Sequence, residues 1–204
     1  MDLPALAAQA RCLPRVFITK NALPCQLHFL PLSAGRRLTE MYLAYQPRNC
    51  FQGLPPLKNA VCLRWVEDML QTGVNLIASC DSEAIVGHAA LFPINQQKCE
   101  MLVVVCPGFQ NVGIGTELVR GCIDLADELG FQRIWLPVDA TNVRARCVYR
   151  KCGFEYVSNQ QGREMGMACE VRRHRTPLRA TSVPTPHFNF SDASLGSECR
   201  VTFA

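Results

Sequence analysis

Gln110-Asn-Val-Gly113-Ile-Gly115-Thr116 carries the strongest indication of how this chain folds. It follows the apolar run Met101 to Cys106 and opens the amphipathic run Glu117 to Leu129, an order that predicts strand, glycine turn and helix. The first amides of a helix lack partners within the helix, and the helix dipole adds partial positive charge there. Two glycines let the backbone approach an anion closely. Residues 110–116, called the phosphate turn below, are therefore predicted to bind a phosphate group without needing a basic side chain.

Two common phosphate motifs do not match this turn. A dinucleotide fingerprint needs a third glycine where the chain has Leu118, and no Gly-Lys-Ser/Thr triplet of a Walker A loop occurs. What remains is Gln-x-x-Gly-x-Gly after a strand. On its own, the segment is equally compatible with a purely structural turn before a helix.

A second segment, Asn142 to Phe154, adds an independent pattern. On a helix, Asn142, Ala145 and Tyr149 share one face, and Gly153 is placed as the left-handed residue that ends the helix. Asn-x-x-Ala-x-x-x-Tyr-x-Lys-x-Gly-Phe and Gln-x-x-Gly-x-Gly together resemble the two signatures of the GNAT superfamily of acyl-CoA N-acyltransferases. The resemblance covers roughly residues 16–171.

The chain as a whole predicts an α/β fold. Hydrophobic patterning predicts an edge strand at 15–20, a core strand at 26–32, and helices at 34–45 and 57–71, the latter burying Val61, Trp65 and Met69. Strands follow at 75–80, 84–92 and 98–105, then the phosphate-turn helix, a strand at 133–138, the Tyr149 helix and strands at 154–158 and 164–171. The core order β-α-α-β-β-β-α-β-α-β-β resembles the GNAT topology, a mixed, mostly antiparallel central sheet flanked by helices.

The domain organisation follows from the resemblance together with a change of composition near the C-terminus. Residues 1–14 are predicted to be a loose N-terminal arm and residues 15–171 the acyltransferase domain. Residues 172–204, rich in Arg, Ser, Thr and Pro, are predicted to be a C-terminal tail.

Composition also restricts the partners. The formal charge is +4, no basic block carries interleaved aromatic residues, and no apolar run approaches the ~20 residues of a membrane span, so neither nucleic acid nor membrane is an expected partner.

The twelve cysteines include no C-x-x-C pair and the four histidines are scattered, so no metal site is expected. Several cysteines occupy apolar positions, where they act as small hydrophobic residues, and reduced thiols in a cytoplasm are the expectation. Examples are Cys62, Cys80, Cys106, Cys122 and Cys147.

The resemblance implies acetyl-CoA, or another acyl-CoA, as cosubstrate, bound where two neighbouring strands separate. The backbone of one strand would pair with the pantetheine arm, and one of its amides would stabilise the oxyanion. The amides of the phosphate turn would take the pyrophosphate, and the side chain of Asn142 would contact the pantetheine. The implied cosubstrate contacts are Val103, Val104, Val105, Gln110, Asn111, Val112, Gly113, Ile114, Gly115, Thr116, Asn142 and Tyr149.

The resemblance also suggests catalytic groups. Tyr149 is the candidate general acid, because a neutral phenol can donate a proton to the leaving thiolate; the alternative is that Tyr149 only packs on the cosubstrate. Glu100 is the candidate general base, whose apolar neighbours would raise its pKa; the alternative is a solvated strand-end glutamate. His88 is a weaker candidate base, more often a satisfied core histidine. Four basic residues could neutralise the 3′-phosphate or simply form a solvated helix face: Arg144, Arg146, Arg150 and Lys151.

The acceptor is the least defined part of the prediction. The resemblance places it between residues 46–56 and 158–164, where Glu164 is the one carboxylate. This disfavours polyamines and aminoglycosides and favours an amine with an anionic or apolar body, on a small molecule or a peptide. The alternative function is a non-catalytic acyl-CoA sensor or scaffold. A homodimer is a further expectation from the resemblance.

Overall fold

A central sheet dominates the computed structural model, which describes residues 9–48, 50, 54–80, 84–157 and 164–171. Short 3₁₀ turns lie at Leu32–Ala34 and Pro107–Phe109. The α-helices are α1 Gly35–Ala44, α2 Asn59–Thr72, α3 Ile114–Glu128 and α4 Val143–Lys151. The strands are β1 Arg15–Ile18, β2 Pro24–Phe29, β3 Val74–Cys80, β4 Ile85–Pro93, β5 Lys98–Val105, β6 Arg133–Asp139, β7 Glu155–Tyr156 and β8 Glu164–Glu170.

The sheet order is β1-β2-β3-β4-β5-β6-β8-β7. Each neighbouring pair is antiparallel except β5 and β6, which are parallel. The predicted mixed, mostly antiparallel sheet flanked by helices is thus confirmed. The predicted edge strand is also present, as β1 at one border of the sheet.

Helices cover both faces of the sheet, and each face has its own apolar core. On one face, Leu118, Cys122 and Leu125 of α3 pack in a cluster that includes Tyr149 and Phe154. On the other face, α1 and α2 contribute the second cluster, which includes Leu38, Tyr42, Trp65, Val66 and Met69. The central strands β3 and β4 therefore have buried side chains on both faces and read as nearly continuous apolar runs.

Two predictions about individual side chains are wrong. Val61 was placed on the buried face of α2, yet it is 48% exposed, and the buried residue in that turn is Cys62. The helix is rotated so that Cys62, Trp65 and Met69 form its stripe, a spacing equally consistent with the sequence. Cys147 is exposed rather than part of the apolar core, because α4 buries only the side of the helix that carries Tyr149.

The structure agrees with the helix start predicted at the phosphate turn and with the helix end predicted at Gly153. Helix α3 begins at Ile114, three residues before the amphipathic run, directly on the glycine turn. Gly153 has φ +93°, the left-handed conformation expected after the last turn of α4.

The ends of the chain are only partly described. Residues 1–8 and 172–204 lie outside the described residues, as do residues 81–83 and residues 158–163, which include most of the predicted acceptor segment 158–164. Residues 9–14 lie against the domain: Leu13 is buried, and the N–H of Arg11 donates to Glu128 Oε2 at 2.6 Å. None of the helices in the described residues combines the length and apolarity needed to cross a bilayer.

Candidate active site

A cleft opens where β5 and β6 separate. The two strands pair only at Lys98, Cys99 and Glu100, so residues 101–105 of β5 have a sheet neighbour, β4, on one side only. Beyond Glu100 the space between the strands widens into a cleft of about 900 Å³. Its lining combines residues of β5, the phosphate turn, α3 and α4 with residues from the loop between α1 and α2. The cleft therefore brings together both motifs found in the sequence.

The exposed edge of β5 forms one wall. Val103, Val104 and Val105 all line the cleft, while their ladder partners are Ala89, His88 and Gly87 of β4. An unpaired strand edge presents alternating N–H and C=O groups that an extended ligand can pair with. The predicted pantetheine-binding strand lies at this edge.

The phosphate turn closes the neighbouring end. Gly113 is the N-cap of α3 with φ +107°, Asn111 has φ +65°, and no side chain caps the helix. The first intrahelical bond runs from the N–H of Glu117 to the C=O of Gly113, so the earlier amides of α3 have no partner within the helix. A Cβ at Gly113 would meet no atom of the protein within 4 Å, so open space surrounds this glycine on the cleft side. The turn thus offers an uncapped helix start to an anion.

The described cleft includes every predicted cosubstrate contact except Ile114, which is buried beneath the phosphate turn. Asn142 is the N-cap of α4, and its Oδ1 accepts from the N–H of Ala145 at 3.1 Å. This cap commits the amide oxygen of Asn142 and leaves its NH₂ group for a ligand. Asn142, Ala145 and Tyr149 all line the cleft, as their spacing predicted.

Tyr149 lies at the inner wall of the cleft, with 4% of its surface exposed. Its ring packs on Phe154 at a centroid distance of 5.7 Å. Burial, with a smaller contribution from Cys122, raises the pKa of the Tyr149 phenol well above its usual value. The phenol therefore stays protonated across the physiological range and retains a proton to donate.

Glu100 lies at the point where β5 and β6 part, but it is not among the residues that line the cleft. By strand alternation its side chain is on the same face as Leu102 and Val104, which do line it. Burial, and then the neighbouring carboxylate of Glu164, raise the pKa of Glu100 to about 7. A carboxylate that titrates near neutrality suits proton transfer.

His88 belongs to a closed polar network rather than to the cleft. It is fully buried, and its Nε2 lies 3.0 Å from Asn75 Oδ1 and its Nδ1 2.7 Å from the Tyr42 hydroxyl. The NH₂ group of Asn75 donates to the backbone C=O of Met69 and of Gly73, which leaves Oδ1 as an acceptor. His88 Nε2 must then carry the proton, and Nδ1 accepts from Tyr42. Burial lowers the pKa of His88 to about 3, so the ring is neutral, and the expectation of a satisfied core histidine is confirmed.

Only part of the predicted basic set reaches the cleft. Arg144 and Lys151 line it, whereas Arg146 donates to the Tyr156 hydroxyl at 2.8 Å and to the C=O of Ala140. Arg150 is exposed on α4 away from the lining residues. The cleft also contains Lys20, from the turn between β1 and β2, and Arg120, which the sequence did not single out.

Another wall of the cleft is apolar and aromatic. Its lining residues there are Tyr45, Cys50, Leu54, Pro55, Trp65 and Leu102. Trp65 is 7% exposed, and its indole N–H finds no partner within the described residues. The Tyr45 hydroxyl accepts from Gln110 Nε2 at 3.4 Å, and burial raises its pKa to about 12. The periodicity of the predicted helices 34–45 and 57–71 gives no sign that a cleft opens beside Tyr45 and Trp65.

Carboxylates are scarce in this lining. Among the described lining residues the one acidic side chain is Glu117, and it is paired with Arg120 at 2.7 Å. The cleft therefore combines an uncapped helix start and four described basic side chains with an aromatic, uncharged wall, and the two parts meet where the Tyr45 hydroxyl accepts from Gln110.

Comparison with known proteins supports one family. A model described as the acetyltransferase (GNAT) family matches residues 38–154, more than half of the chain. Spermidine N(1)-acetyltransferase of Escherichia coli K12 is 27% identical over 131 residues, which span 56% of this chain and 70% of that protein. The fold agrees with the GNAT domain of Streptomyces lividans PAT, with a TM-score of 0.68 at 13% identity over 77% of this chain and 96% of that domain. It also agrees with Salmonella typhimurium yncA, solved with its cofactor acetyl-CoA, with a TM-score of 0.59 at 17% identity over 76% and 99% of the two chains.

Proposed function

The chain belongs to the GNAT family of acetyltransferases, and from this membership we propose that it transfers an acetyl group from acetyl-CoA to a primary amine within the cleft between β5 and β6. The observation that carries the assignment to this cleft is the convergence of the uncapped start of α3, the open edge of β5 and Tyr149 on one cavity. Transfer proceeds by direct attack of the amine on the thioester. The acceptor is a small molecule or a peptide.

The cosubstrate half of the cleft works through the main chain. Amides of the phosphate turn, residues 110–116, bind the diphosphate, and the edge of Val103–Val105 pairs with the pantetheine arm. An amide of this edge donates to the thioester oxygen as it gains negative charge, a form of stabilisation that contributes several kcal/mol in related chemistry, about 3 per donor. Asn142 contributes its free NH₂ group. Positioning of the thioester in this way supplies a large part of the rate.

Tyr149 and Glu100 divide the proton transfers. Glu100 accepts the proton of the incoming ammonium, directly or through a water, and its pKa of about 7 makes the carboxylate available near neutral pH. Tyr149 donates a proton to the departing thiolate, and the raised pKa of its phenol keeps that proton in place until then. The two groups act on different atoms and do not compete.

The Glu100→Gln variant tests the base. We expect kcat/KM at pH 7.5 to fall by about 10²-fold, and the acid limb of the pH–rate profile, with its apparent pKa near 7, to disappear. The measurement is kcat/KM for the amine from pH 5.5 to 9. Glu164→Gln is the matched control: it removes the like charge that raises the pKa of Glu100, so the limb should move to lower pH while the activity remains. An unchanged limb in Glu100→Gln would assign the proton transfer to another group.

The acceptor half of the cleft favours an amine with an apolar or aromatic body. Tyr45, Trp65 and Leu102 form an uncharged wall, and the one acidic lining residue described, Glu117, is already paired with Arg120. Glu100, at the point where β5 and β6 part, can attract a single ammonium group. A polycation such as spermidine, the substrate named for the Escherichia coli relative, would need further acidic groups along its length.

An acceptor panel tests both the activity and this preference. We expect kcat/KM for amines with an aromatic or aliphatic body, such as tryptamine or a peptide with an apolar N-terminal residue, to exceed that for spermidine at least about tenfold. Release of CoA should be followed by chromatography, because the cysteines of the protein would react with thiol reagents. Faster transfer to spermidine would overturn the preference. Tight binding of acetyl-CoA with no turnover above Tyr149→Phe on any amine would indicate the alternative function, an acyl-CoA sensor.

The remaining expectations are part of the proposal. Residues 15–171 are the proposed acetyltransferase domain, with an arm at 1–14 and a tail at 172–204. The cytoplasm is the proposed location, in keeping with the lack of disulfides among the described cysteines. A homodimer is the proposed assembly, and light scattering of the purified protein would measure it.

A further inference from the structure

The hairpin of β1 and β2 precedes the segment matched by the family model, yet it reaches the phosphate turn. The backbone N–H of Lys20, in the turn of this hairpin, donates to the C=O of Val112 at 2.9 Å. Phe17, Ile18 and Lys20 line the same cleft as Asn111 and the residues that follow it. The hairpin thus forms a wall beside the diphosphate end of the proposed cosubstrate site.

Contacts with α3 fix the hairpin in this position. Arg15 of β1 pairs with Asp124 at 2.9 Å and donates to the C=O of Glu117 at 3.3 Å. Helix α3 lies directly on the hairpin at Gly121, where an added Cβ would collide with Leu27 of β2. The hairpin therefore runs along α3 towards the helix start, and its turn lies next to the residues that precede α3.

The turn itself is tightly bonded. Thr19 is buried, its N–H donates to the C=O of Leu23 at 3.0 Å, and its hydroxyl accepts from the N–H of Leu23 at 2.9 Å. Ala22 takes a left-handed conformation with φ +62° to close the turn. These bonds and the bond to Val112 hold the backbone of Lys20 at a set position relative to the phosphate turn.

The charges around the cleft leave Lys20 available. The phosphate turn, residues 110–116, contains no lysine or arginine. Of the other cations in the lining, Arg120 pairs with Glu117, Arg144 donates to Gln110 Oε1 at 3.3 Å, and Lys151, the last residue of α4, pairs with no described carboxylate. The ammonium group of Lys20 makes no ion pair with any described residue. A diphosphate bound at the uncapped start of α3 would lie near the ammonium group of Lys20, which could then bind it.

We propose that Lys20 is a ligand of the CoA diphosphate and that the N-terminal hairpin is part of the cosubstrate site. The proposal rests on the proposed function, since it needs acetyl-CoA in this cleft. It adds a cation from outside both sequence signatures to a turn that offers only main-chain dipoles. Lys20 acts in binding, so its loss affects affinity rather than the chemical step.

The test compares Lys20→Ala, Lys20→Arg and Lys98→Ala. Lys98 is an exposed lysine at the far end of β5, outside the cleft, and serves as the matched control. For Lys20→Ala we expect the Kd and KM of acetyl-CoA to rise about tenfold, kcat to remain near that of the unmodified protein, and the salt dependence of Kd to weaken. Lys20→Arg should restore most of the affinity, and Lys98→Ala should bind normally. Equal melting temperatures would establish that all variants are folded.

Shortened cosubstrates locate the contact. S-acetylpantetheine lacks the diphosphate, so Lys20→Ala and the unmodified protein should use it equally well. Acetyl-dephospho-CoA keeps the diphosphate but lacks the 3′-phosphate, so the tenfold difference should persist. Disappearance of the difference with acetyl-dephospho-CoA would place Lys20 at the 3′-phosphate and overturn the assignment. Equal affinity of Lys20→Ala and the unmodified protein for acetyl-CoA would overturn it as well, whereas no binding by the unmodified protein would instead refute the proposed function.

Discussion

Tyr149→Phe is expected to lower kcat about 10²-fold while the KM for acetyl-CoA changes by no more than about twofold. The substitution keeps the ring, which packs on Phe154 in the wall of the cleft, and removes only the hydroxyl. Within the described residues this hydroxyl makes no hydrogen bond, so its loss leaves no partner unsatisfied. The expected effect is therefore confined to the step in which the thiolate leaves.

Tyr156→Phe is the matched control for this result. Tyr156 lies on β7, outside the cleft lining, and its hydroxyl accepts from Arg146 at 2.8 Å. Steady-state kinetics at saturating acetyl-CoA should show near-normal kcat for Tyr156→Phe. If Tyr149→Phe retained full kcat and only raised the KM for acetyl-CoA, Tyr149 would be a packing residue and the acid would have to be sought elsewhere.

Acidification is expected to destabilise the protein through His88. The pKa of His88 is about 3 in the folded state because of burial, against an ordinary value of 6.5, so the unfolded chain binds more protons between these values. The stability contributed by the neutral, hydrogen-bonded ring is complete above pH 6.5 and is lost as the pH falls towards 3. The slope is about 1.4 kcal/mol per pH unit, which gives about 2 kcal/mol between pH 6.5 and 5.

Glu100 acts in the opposite direction. Its pKa is raised from 4.5 to about 7 in the folded protein, so the folded state binds more protons between these values. Its contribution to stability is present below pH 4.5 and is lost as the pH rises through 7. The pH dependence of the free energy of unfolding of the unmodified protein is therefore the sum of two opposing contributions, from His88 and from Glu100. Variants are needed to separate the two.

Urea unfolding of His88→Gln and Glu100→Gln at pH 7 and pH 5 makes the separation. His88→Gln removes the ring nitrogen Nδ1 that accepts from Tyr42, and the more flexible amide should make the protein less stable at pH 7, but this deficit should shrink by about 2 kcal/mol at pH 5. In Glu100→Gln, the free energy of unfolding should lack the decrease between pH 5 and pH 7 that the Glu100 carboxyl causes. A deficit of His88→Gln that stays constant between the two pH values would show that the ring is not held neutral. His88→Gln should retain most of its kcat at pH 7, because His88 lies outside the cleft lining.

Local sequence signals were sufficient for the two motifs. Gly113 of the phosphate turn and Gly153 at the end of α4 have positive φ values, as glycines in a turn and after a helix can, because such conformations are decided within a few residues; Gly115 instead lies within α3. The shared face of Asn142, Ala145 and Tyr149 was equally predictable from helical spacing. The resemblance supplied the mixed, mostly antiparallel character of the sheet, which periodicity alone does not determine.

Long-range juxtapositions were not predictable. Nothing near Lys20 in the sequence indicates that its turn bonds to Val112, and nothing near Glu100 indicates that Glu164 raises its pKa. The exposure of Val61 shows the same limit on a smaller scale, since two stripes of α2 were similarly apolar and packing against the sheet selected one. These relations depend on how elements far apart in the chain come together.

The division of the cleft into a main-chain half and a side-chain half affects how the protein can evolve. The backbone N–H and C=O groups of the β5 edge and the backbone N–H groups at the start of α3 are present whatever side chains these residues carry, provided that the fold is kept. Drift at Val103–Val105 therefore leaves the capacity to hold a thioester donor largely intact. The aromatic wall of Tyr45 and Trp65 has no such protection, because its character is set by side chains alone. We therefore expect substitutions in this wall to change the preferred amine more readily than substitutions along β5 change the binding of acetyl-CoA.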